Sequence, residues 1–360
     1  MSINNELPKF SITYKGKTLN TIRWVPVSDK QRLELKTQYY AKPTKSELAK
    51  EIQQLYNGGT QNSKVTKYFV WDLMTKTQLY TCLWTIDDVF ESNDLLGYFI
   101  AFVQAHPNTF NTHTALIDNI ATAIRIGGKP VAGKPTNFPL QAVDFILSKY
   151  NINNKWYDFS CGWGARLTGA LRNQVEYYGT DPNYLLCPRL EQLAATYKYM
   201  TSQPNLKSQI YCQGSEVFIS ELENTIGLAF SSPPYFYLED YKIGNQSYKE
   251  GTSYEDWLNL YMKPTIQNIY KYLINNGIFA MNIKSFEKFD LVNDIKQISI
   301  NCGFIYRKSE ILKNIQRLNE NKELVNSDEE IMIFTKSSYN GPLTFNDTPT
   351  KQTMNRHKLF

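Results

Sequence analysis

The chain is poor in the residues that would make metal or disulfide chemistry the first expectation. Its three histidines, His106, His113 and His357, form no cluster of ligand spacing with cysteine, so neither a structural nor a catalytic metal is expected. Cysteine is as scarce: Cys82, Cys161, Cys187, Cys212 and Cys302 make an odd count with no CxxC pair. That pattern argues against a disulfide framework or zinc knuckle and favours a reducing, cytoplasmic setting. No run approaches the ~18 apolar residues of a membrane span. The opening MSINNELPKF has no apolar signal core, so neither a secretory nor a membrane role is expected. Charge of one sign is not in large excess either. Lys+Arg 39 against Asp+Glu 34 leaves +5, which permits a nucleic-acid partner without requiring one. Internal repeats and low-complexity tracts are absent.

What the chain has in quantity is aromatic residues, with 25 Tyr and 19 Phe. Most are expected to fill cores, and such rings also stack on bases. A length of 360 residues exceeds what one compact core usually needs, so two domains are expected. The clearest boundary is IGGKPVAGKPTN, residues 126–137, whose Gly-Lys-Pro steps read as a linker. The expected organisation is an N-terminal α+β domain over 1–125, the linker, an α/β domain over 138–337 and a C-terminal tail over 338–360.

Within 138–337, short apolar runs predict strands at 156–159, 176–180, 209–212, 226–230 and 277–283, with a final pair at 304–307 and 331–335. Helical periodicity falls between them, at 139–150, 166–172, 185–200, 216–223, 254–273 and 291–300. This alternation implies a mostly parallel, doubly wound, Rossmann-like sheet. In the first 125 residues, strands are expected within 10–27 and a helix over 44–56, opened by Thr44 and Glu47 in capping-box spacing. The aromatic stretch 69–85 reads as β-prone.

Chemistry-bearing motifs stand at the ends of the predicted strands. DFSCGWG, Asp158 to Gly164, delivers an acid and then glycines before a helix, and glycine lets a backbone turn sharply and approach a ligand closely. Alone, it is also an ordinary strand-to-helix turn. Asp181, in GTDPN, ends the next strand, where an acid in a doubly wound sheet faces the ribose hydroxyls of a nucleoside. Alone, it would serve equally as a helix cap. SSPPYF, Ser231 to Phe236, follows the apolar strand 226–230 and precedes a long helix. Its placement relative to the other motifs, more than its composition, marks it as part of a site.

Together these segments resemble motifs I, II and IV of the class I S-adenosylmethionine-dependent amino-methyltransferases, in particular the DNA N4-cytosine and N6-adenine enzymes. The resemblance covers roughly residues 134–336. It implies a Rossmann-like methyltransferase sheet, S-adenosylmethionine as cofactor, and methyl transfer to the exocyclic amine of cytosine or adenine in DNA. The target base would be flipped out of the stack. By the same resemblance, Asp158, Gly162 and Gly164 line the methionine end of the cofactor and Asp181 holds its ribose hydroxyls. Ser232, Pro233, Pro234 and Tyr235 form the SPPY that engages the amine and base. Lys134, in KPTNF, stands in a segment similar to the one that helps bind the cofactor carboxylate. The sequence departs from the pattern where Ser160 replaces the usual aromatic before the first glycine, and where motif III lacks its acid. Ser215 or Glu216 is then the candidate for the adenine. Arg166, just inside the following helix, is expected either to meet a carboxylate or phosphate or to form a surface salt bridge.

An SPPY loop suits amine methylation for a physical reason. The lone pair of an exocyclic amine is delocalised into its ring. Two acceptors aimed at its N–H bonds, the Ser232 hydroxyl and the Pro233 carbonyl, draw the nitrogen toward tetrahedral geometry. Proline stiffens the loop and offers no N–H. Tyr235 can stack on the base and stabilise charge developing on the nitrogen. Phe236 and Tyr237, with Tyr241, either wall the base pocket or simply pack in the loop. Base recognition falls to residues 1–125, to the loop 236–253 or to the basic segment 307–322. The remaining alternatives are an RNA base or a protein Gln/Asn amide as acceptor, and a catalytically inactive methyltransferase-fold subunit that only binds. C5-cytosine methylation is disfavoured, because no cysteine follows the fourth strand.

Overall fold

From Leu140 onward, apolar strands and amphipathic helices alternate, and their pairing builds a mixed sheet with helices between its strands. This computed structural model describes residues 10–336 apart from 112, 128–129, 250, 287, 312–315, 319–323 and 327–329. The sheet strands are β1 (Lys155–Asp158), β2 (Glu176–Thr180), β3 (Ser208–Tyr211), β4 (Ile226–Ser231), β5 (Leu273–Ile283), β6 (Ile305–Ile311) and β7 (Glu330–Thr335). Their spatial order is β6-β7-β5-β4-β1-β2-β3. β1 to β5 run parallel, and β7 lies antiparallel to both of its neighbours. This is an α/β, doubly wound sheet of Rossmann-like kind, with both faces available to helices. Every residue of β4 is buried, as a central parallel strand requires.

The order of the chain reverses between β1, which neighbours β2, and β4, on its other side. Such a switch point leaves a crevice beyond the carboxyl ends of the strands, where ligands of α/β sheets bind. The three sequence motifs follow β1, β2 and β4 and therefore share that edge.

The helices that flank these strands were mostly legible. Helix α3 (Leu140–Tyr150) buries Leu140, Val143, Ile146, Leu147 and Tyr150 along one stripe, and α4 (Ala165–Arg172), α5 (Cys187–Met200) and α7 (Leu291–Asn301) fall where periodicity put them. The long helix expected at 254–273 is interrupted. A helical turn, Tyr254–Trp257, runs into a π-helical turn, Leu258–Met262, and then into α6 (Lys263–Tyr272). Pro264 has no N–H to offer the carbonyl of Leu260, and the Lys263 N–H reaches back to Leu258 instead. The helix expected at 216–223 is reduced to a single tight turn, Ser220–Leu222. There the Ile219 N–H donates to the Tyr272 hydroxyl at 2.7 Å, a tertiary bond that replaces the helical one.

Contacts divide the chain into two units, neither a single stretch of sequence. The first comprises the described residues up to Pro43, Val70–Thr136 and Tyr237–Ile243. The second comprises Thr44–Phe69, Asn137–Phe236 and the described residues from Gly244. The linear boundary near residue 126 therefore differs from this grouping. Helices α1 (Lys45–Tyr56) and α2 (Ser63–Phe69) pack on α5 of the sheet unit. Arg189 donates to the Phe69 carbonyl at 3.0 Å, and the Glu51 carboxylate accepts the Val65 N–H at 2.8 Å. The expected capping box is present, with Thr44 and Glu47 bonding each other's backbone N–H.

The first unit is more helical than expected. A hairpin, Phe10–Tyr14 with Lys17–Thr21, turns at Lys15 and Gly16, both at positive φ. Helices then cover Asp29–Tyr40, Ile86–Glu91, Asn93–Gln104 and Leu116–Gly127. The stretch 69–85 holds a helical turn, Trp71–Met74, and only Gln78–Leu79 as strand. Its aromatic residues signalled burial, since Phe69 and Trp71 are both buried, and burial alone does not select extended backbone. Residues 338–360 lie outside the described residues. No described helix is long and apolar enough to cross a membrane.

Candidate active site

The loop after β1 is built around a buried ion pair. Asp158 is 0% exposed, and its Oδ2 accepts from Arg166 Nε at 2.9 Å and from the Tyr177 hydroxyl at 2.7 Å. Its Oδ1 accepts the Ser160 N–H at 3.3 Å, and the Arg166 guanidinium also donates to the Ser160 carbonyl. Burial opposes the Arg166 charge, but Asp158 outweighs it and holds the guanidinium's pKa above its usual value. Arg166 is thus neither a surface salt bridge nor free for a ligand anion. Asp158 shapes the loop from beneath, and the backbone from Ser160 to Gly164 is what the loop presents.

That backbone needs its glycines. Gly162 sits at φ +55°, a conformation that L side chains rarely adopt, and a Cβ there would touch Arg166 Nη2 at an ordinary van der Waals distance of 3.6 Å. Gly164, at φ +81°, starts α4, and a Cβ would come within 2.9 Å of Leu190.

The motifs are joined to each other by hydrogen bonds. The Gly162 N–H donates to Asp181 Oδ2 at 3.2 Å, and the Cys161 N–H donates to the Thr180 carbonyl at 2.9 Å. Ser231 at the end of β4 donates its hydroxyl to the Ser160 carbonyl at 3.3 Å. Asp181 Oδ1 accepts the Asn183 N–H at 3.0 Å. Burial raises the Asp181 pKa to about 6, against the lowering effect of those backbone N–H bonds. A carboxylate has about four acceptor positions, and these bonds use two. The remaining pair suits two vicinal hydroxyl donors.

Asn282, near the end of β5, is a candidate residue of the site that the sequence did not reveal. It is 1% exposed, and its Nδ2 donates to Ser232 Oγ at 3.2 Å and to the Tyr235 hydroxyl at 3.1 Å. The Tyr235 hydroxyl donates to the Asn282 carbonyl at 3.3 Å and lies 3.4 Å from Ser232 Oγ. Both ends of the SPPY are therefore pinned to one β5 residue, with Pro233 buried between them. A lone asparagine within an apolar run, IFAMNI, was the available signal.

The other candidates fall elsewhere. Phe236, expected near the substrate, is 4% exposed at φ +53°, with its ring against Tyr248, Tyr254, Trp257 and Phe289. It anchors the loop. Lys134 and Tyr237 belong to the first unit, where the Lys134 ammonium lies 4.9 Å from the Trp71 ring centre and Tyr237 meets Tyr80 edge-on at 5.0 Å. There too, Tyr241 donates to Glu239 at 2.8 Å. Ser215 is 2% exposed and bonded to Thr265 at 2.8 Å, whereas Glu216 is exposed. In the basic segment 307–322, Arg307 donates to Thr335 at 3.0 Å and Lys308 pairs with Glu310 at 2.7 Å. Its other cations lie outside the described side chains.

Residues 226–359, from β4 onward, match the family model described as DNA methylase. No curated protein matches the chain. Among solved structures, the chain is similar to a TehB-like SAM-dependent methyltransferase from Corynebacterium glutamicum, with 16% identity, 55% of this chain and 86% of that chain covered, and a TM-score of 0.37. It is also similar to magnesium protoporphyrin IX methyltransferase from Synechocystis, with 10% identity, 55% and 79% covered, and a TM-score of 0.36. A putative RNA methyltransferase from Pyrococcus horikoshii has 13% identity, 55% and 83% covered, and a TM-score of 0.35.

Proposed function

We propose that the protein transfers a methyl group from S-adenosylmethionine to the exocyclic amine of cytosine or adenine in DNA. The observation that carries this reading is the SPPY loop pinned by Asn282 at the switch point, beside the bonded pair Gly162 and Asp181. The DNA methylase match over 226–359, which includes that loop, supports DNA as the substrate.

The residues present fit the cofactor. The lack of a side chain on Gly162 lets a ligand approach the loop backbone closely, and the unused Asp181 acceptor positions match a ribose diol. When bound, S-adenosylmethionine supplies an electrophilic methyl on a sulfonium. The chain supplies position and acceptors. Ser232 Oγ already accepts from Asn282, which leaves an acceptor position for one amine N–H. The Pro233 carbonyl accepts the other, and the Tyr235 ring covers the base face. The amine proton is lost to water after transfer, so no strong base is required.

The direct test is transfer of labelled methyl from S-adenosylmethionine to a mixture of unmethylated DNA and RNA, followed by digestion and mass spectrometry of the nucleosides. N4-methylcytosine or N6-methyladenine in the DNA is the expected product and identifies the base. Label in the RNA alone, or none despite cofactor binding, transfers the reading to an RNA base or a protein amide. No cofactor binding at all favours a binding-only subunit.

Tyr235→Ala is expected to keep cofactor affinity and lose turnover, because base stacking on one aromatic contributes about 1–3 kcal/mol. A cofactor Kd that rises with the substitution would remove Tyr235 from the base and place it at the cofactor.

Asp181 predicts a pH dependence. Its folded pKa, about 6, lies above the usual 3.8, so protonation favours the folded free protein as pH falls from 6 toward 3.8. Ribose hydroxyls need the ionised form, so cofactor affinity moves the opposite way and is fully present above pH 6. Between pH 7 and pH 5, S-adenosylhomocysteine should bind about tenfold more weakly. Asp181→Asn should bind weakly and show a flat profile by calorimetry. A profile unchanged by that substitution would rule out the ribose contact.

A further inference from the structure

Helix α6 and the π-turn before it carry a row of exposed polar residues at four-residue spacing: Asn259, Lys263, Gln267 and Lys271. Residues four apart stand one above another on a helix face, so the row runs along the helix. At a rise of about 1.5 Å per residue, the two lysines are about 12 Å apart and the whole row is about 18 Å long. The row begins two residues after Trp257, whose ring lies 5.9 Å from that of Phe236, the last residue of SSPPYF. Exposed Glu255 bounds it at that end.

The row forms one wall of a groove of about 630 Å³, and Ile298 and Cys302, at the end of α7, stand on the other. No carboxylate is among the residues that line it. The acid of α7, Asp294, lies one turn before Ile298 and accepts from the Tyr254 hydroxyl at 2.8 Å. Among the described residues, neither Lys263 nor Lys271 forms an ion pair, and the Lys271 ammonium lies 4.9 Å from the Phe218 ring centre. The groove therefore offers two cations and two side-chain amides strung along a line. A compact anion needs donors that converge on one point. A line of donors suits a linear polyanion.

We propose that the α6–α7 groove is a contact surface for the phosphodiester backbone of the substrate DNA, apart from the SPPY loop and the cofactor residues. Lys263 and Lys271 neutralise phosphates of one strand, and the Asn259 and Gln267 amides donate to phosphate oxygens along the same line. At 3.4 Å of duplex axis per phosphate on one strand, the distance between the lysines spans about three to four phosphates. Such contacts contribute affinity and orient the duplex without reading its sequence. This surface rests on DNA as the substrate.

The test measures binding of a mixed-sequence DNA duplex as a function of salt. Lys263→Gln with Lys271→Gln removes two phosphate contacts, so the slope of log K against log salt should fall by about 1.8. The wild type should then lose about tenfold more affinity than the variant between 50 and 200 mM salt. Lys45→Gln with Lys207→Gln, two exposed lysines elsewhere in the same unit, makes the same change of net charge and should leave the slope near wild type. Cys302 reports occupancy directly: its alkylation, read by peptide mass spectrometry, should slow at least threefold with saturating duplex. An unchanged slope in the groove variant, an equal fall in the control variant, or a Cys302 that DNA does not protect overturns the proposal. Protection of Cys302 by an RNA duplex and not by DNA gives the groove to RNA and overturns it too. Methyl transfer to DNA alongside any of these results leaves the proposed function standing. A wild type that neither binds nor methylates DNA overturns both.

Discussion

Arg166→Met is expected to destabilise the sheet unit by about 3–5 kcal/mol, the usual cost of removing one partner of a buried ion pair. Asp158 is completely buried, and without the guanidinium its charge has only the Tyr177 hydroxyl and the Ser160 N–H for compensation. The same guanidinium holds the Ser160 carbonyl, so the loop that carries Gly162 loosens as well. Because the protein has two units, the measurement should be local: native-state hydrogen exchange at the β1 and β2 amides, with chemical denaturation for the magnitude. The double variant Asp158→Asn, Arg166→Met should recover most of the loss, since it leaves no buried charge while the introduced amide keeps an acceptor for Tyr177. A single variant within about 1 kcal/mol of wild type would mean that the pair is not what organises the loop.

Asn282→Ala should lower kcat by about a hundredfold, the scale of loss when reacting groups are misplaced by an ångström. Asn282 touches neither the proposed base nor the cofactor directly. Its side-chain amide bonds Ser232 and the Tyr235 hydroxyl, and alanine removes those two bonds while the Tyr235 bond to the backbone carbonyl of residue 282 stays. The expected signature is a fall in kcat with the Kd for S-adenosylhomocysteine within about threefold of wild type, because the cofactor residues follow other strands. Asn282→Leu separates the roles: a side chain of similar size fills the space but bonds neither hydroxyl, so it should fail like alanine. Full activity in the leucine variant would mean that Asn282 only fills space. Loss of cofactor affinity in either variant would mean that it acts through the sheet.

The motif end of the candidate site was legible because it is local. Asp158, Gly162 and Gly164 lie in one loop, and Ser232 to Tyr235 in another. Each combines a short apolar strand with residues whose backbone requirements appear in their identity: glycine at positive φ, proline without an N–H. Strand spacing could order these loops along the chain. It could not say that Arg166 turns under its own loop to Asp158, nor that Asn282 reaches back to Ser232 and Tyr235. Each of these contacts depends on which strands become neighbours, and β5 neighbours β4 only once the sheet is assembled.

The same distinction applies to the units and the irregular helices. Apolar periodicity found α1 from its capping box and its buried stripe of Leu48, Ile52 and Leu55. Periodicity marks a face that must be buried and does not name the surface that buries it, and α5 proved to be that surface. The π-turn before α6 shows the limit in one residue: Pro264 is plain in the sequence, but whether the helix stops, kinks or widens depended on what Tyr261 and Met262 had to bury against. Sequence by itself determined the strands and most helices of the sheet unit, though not the types within 69–85 or 216–223, together with the doubly wound class and the residues of the β1, β2 and β4 loops, because these follow from short-range sterics and from the period of apolar residues. Tertiary structure alone decided the partners, namely Arg166 for Asp158, Asn282 for the SPPY and α6 for the loop after β3, because buried polar groups must be satisfied by whatever the assembled sheet brings within reach.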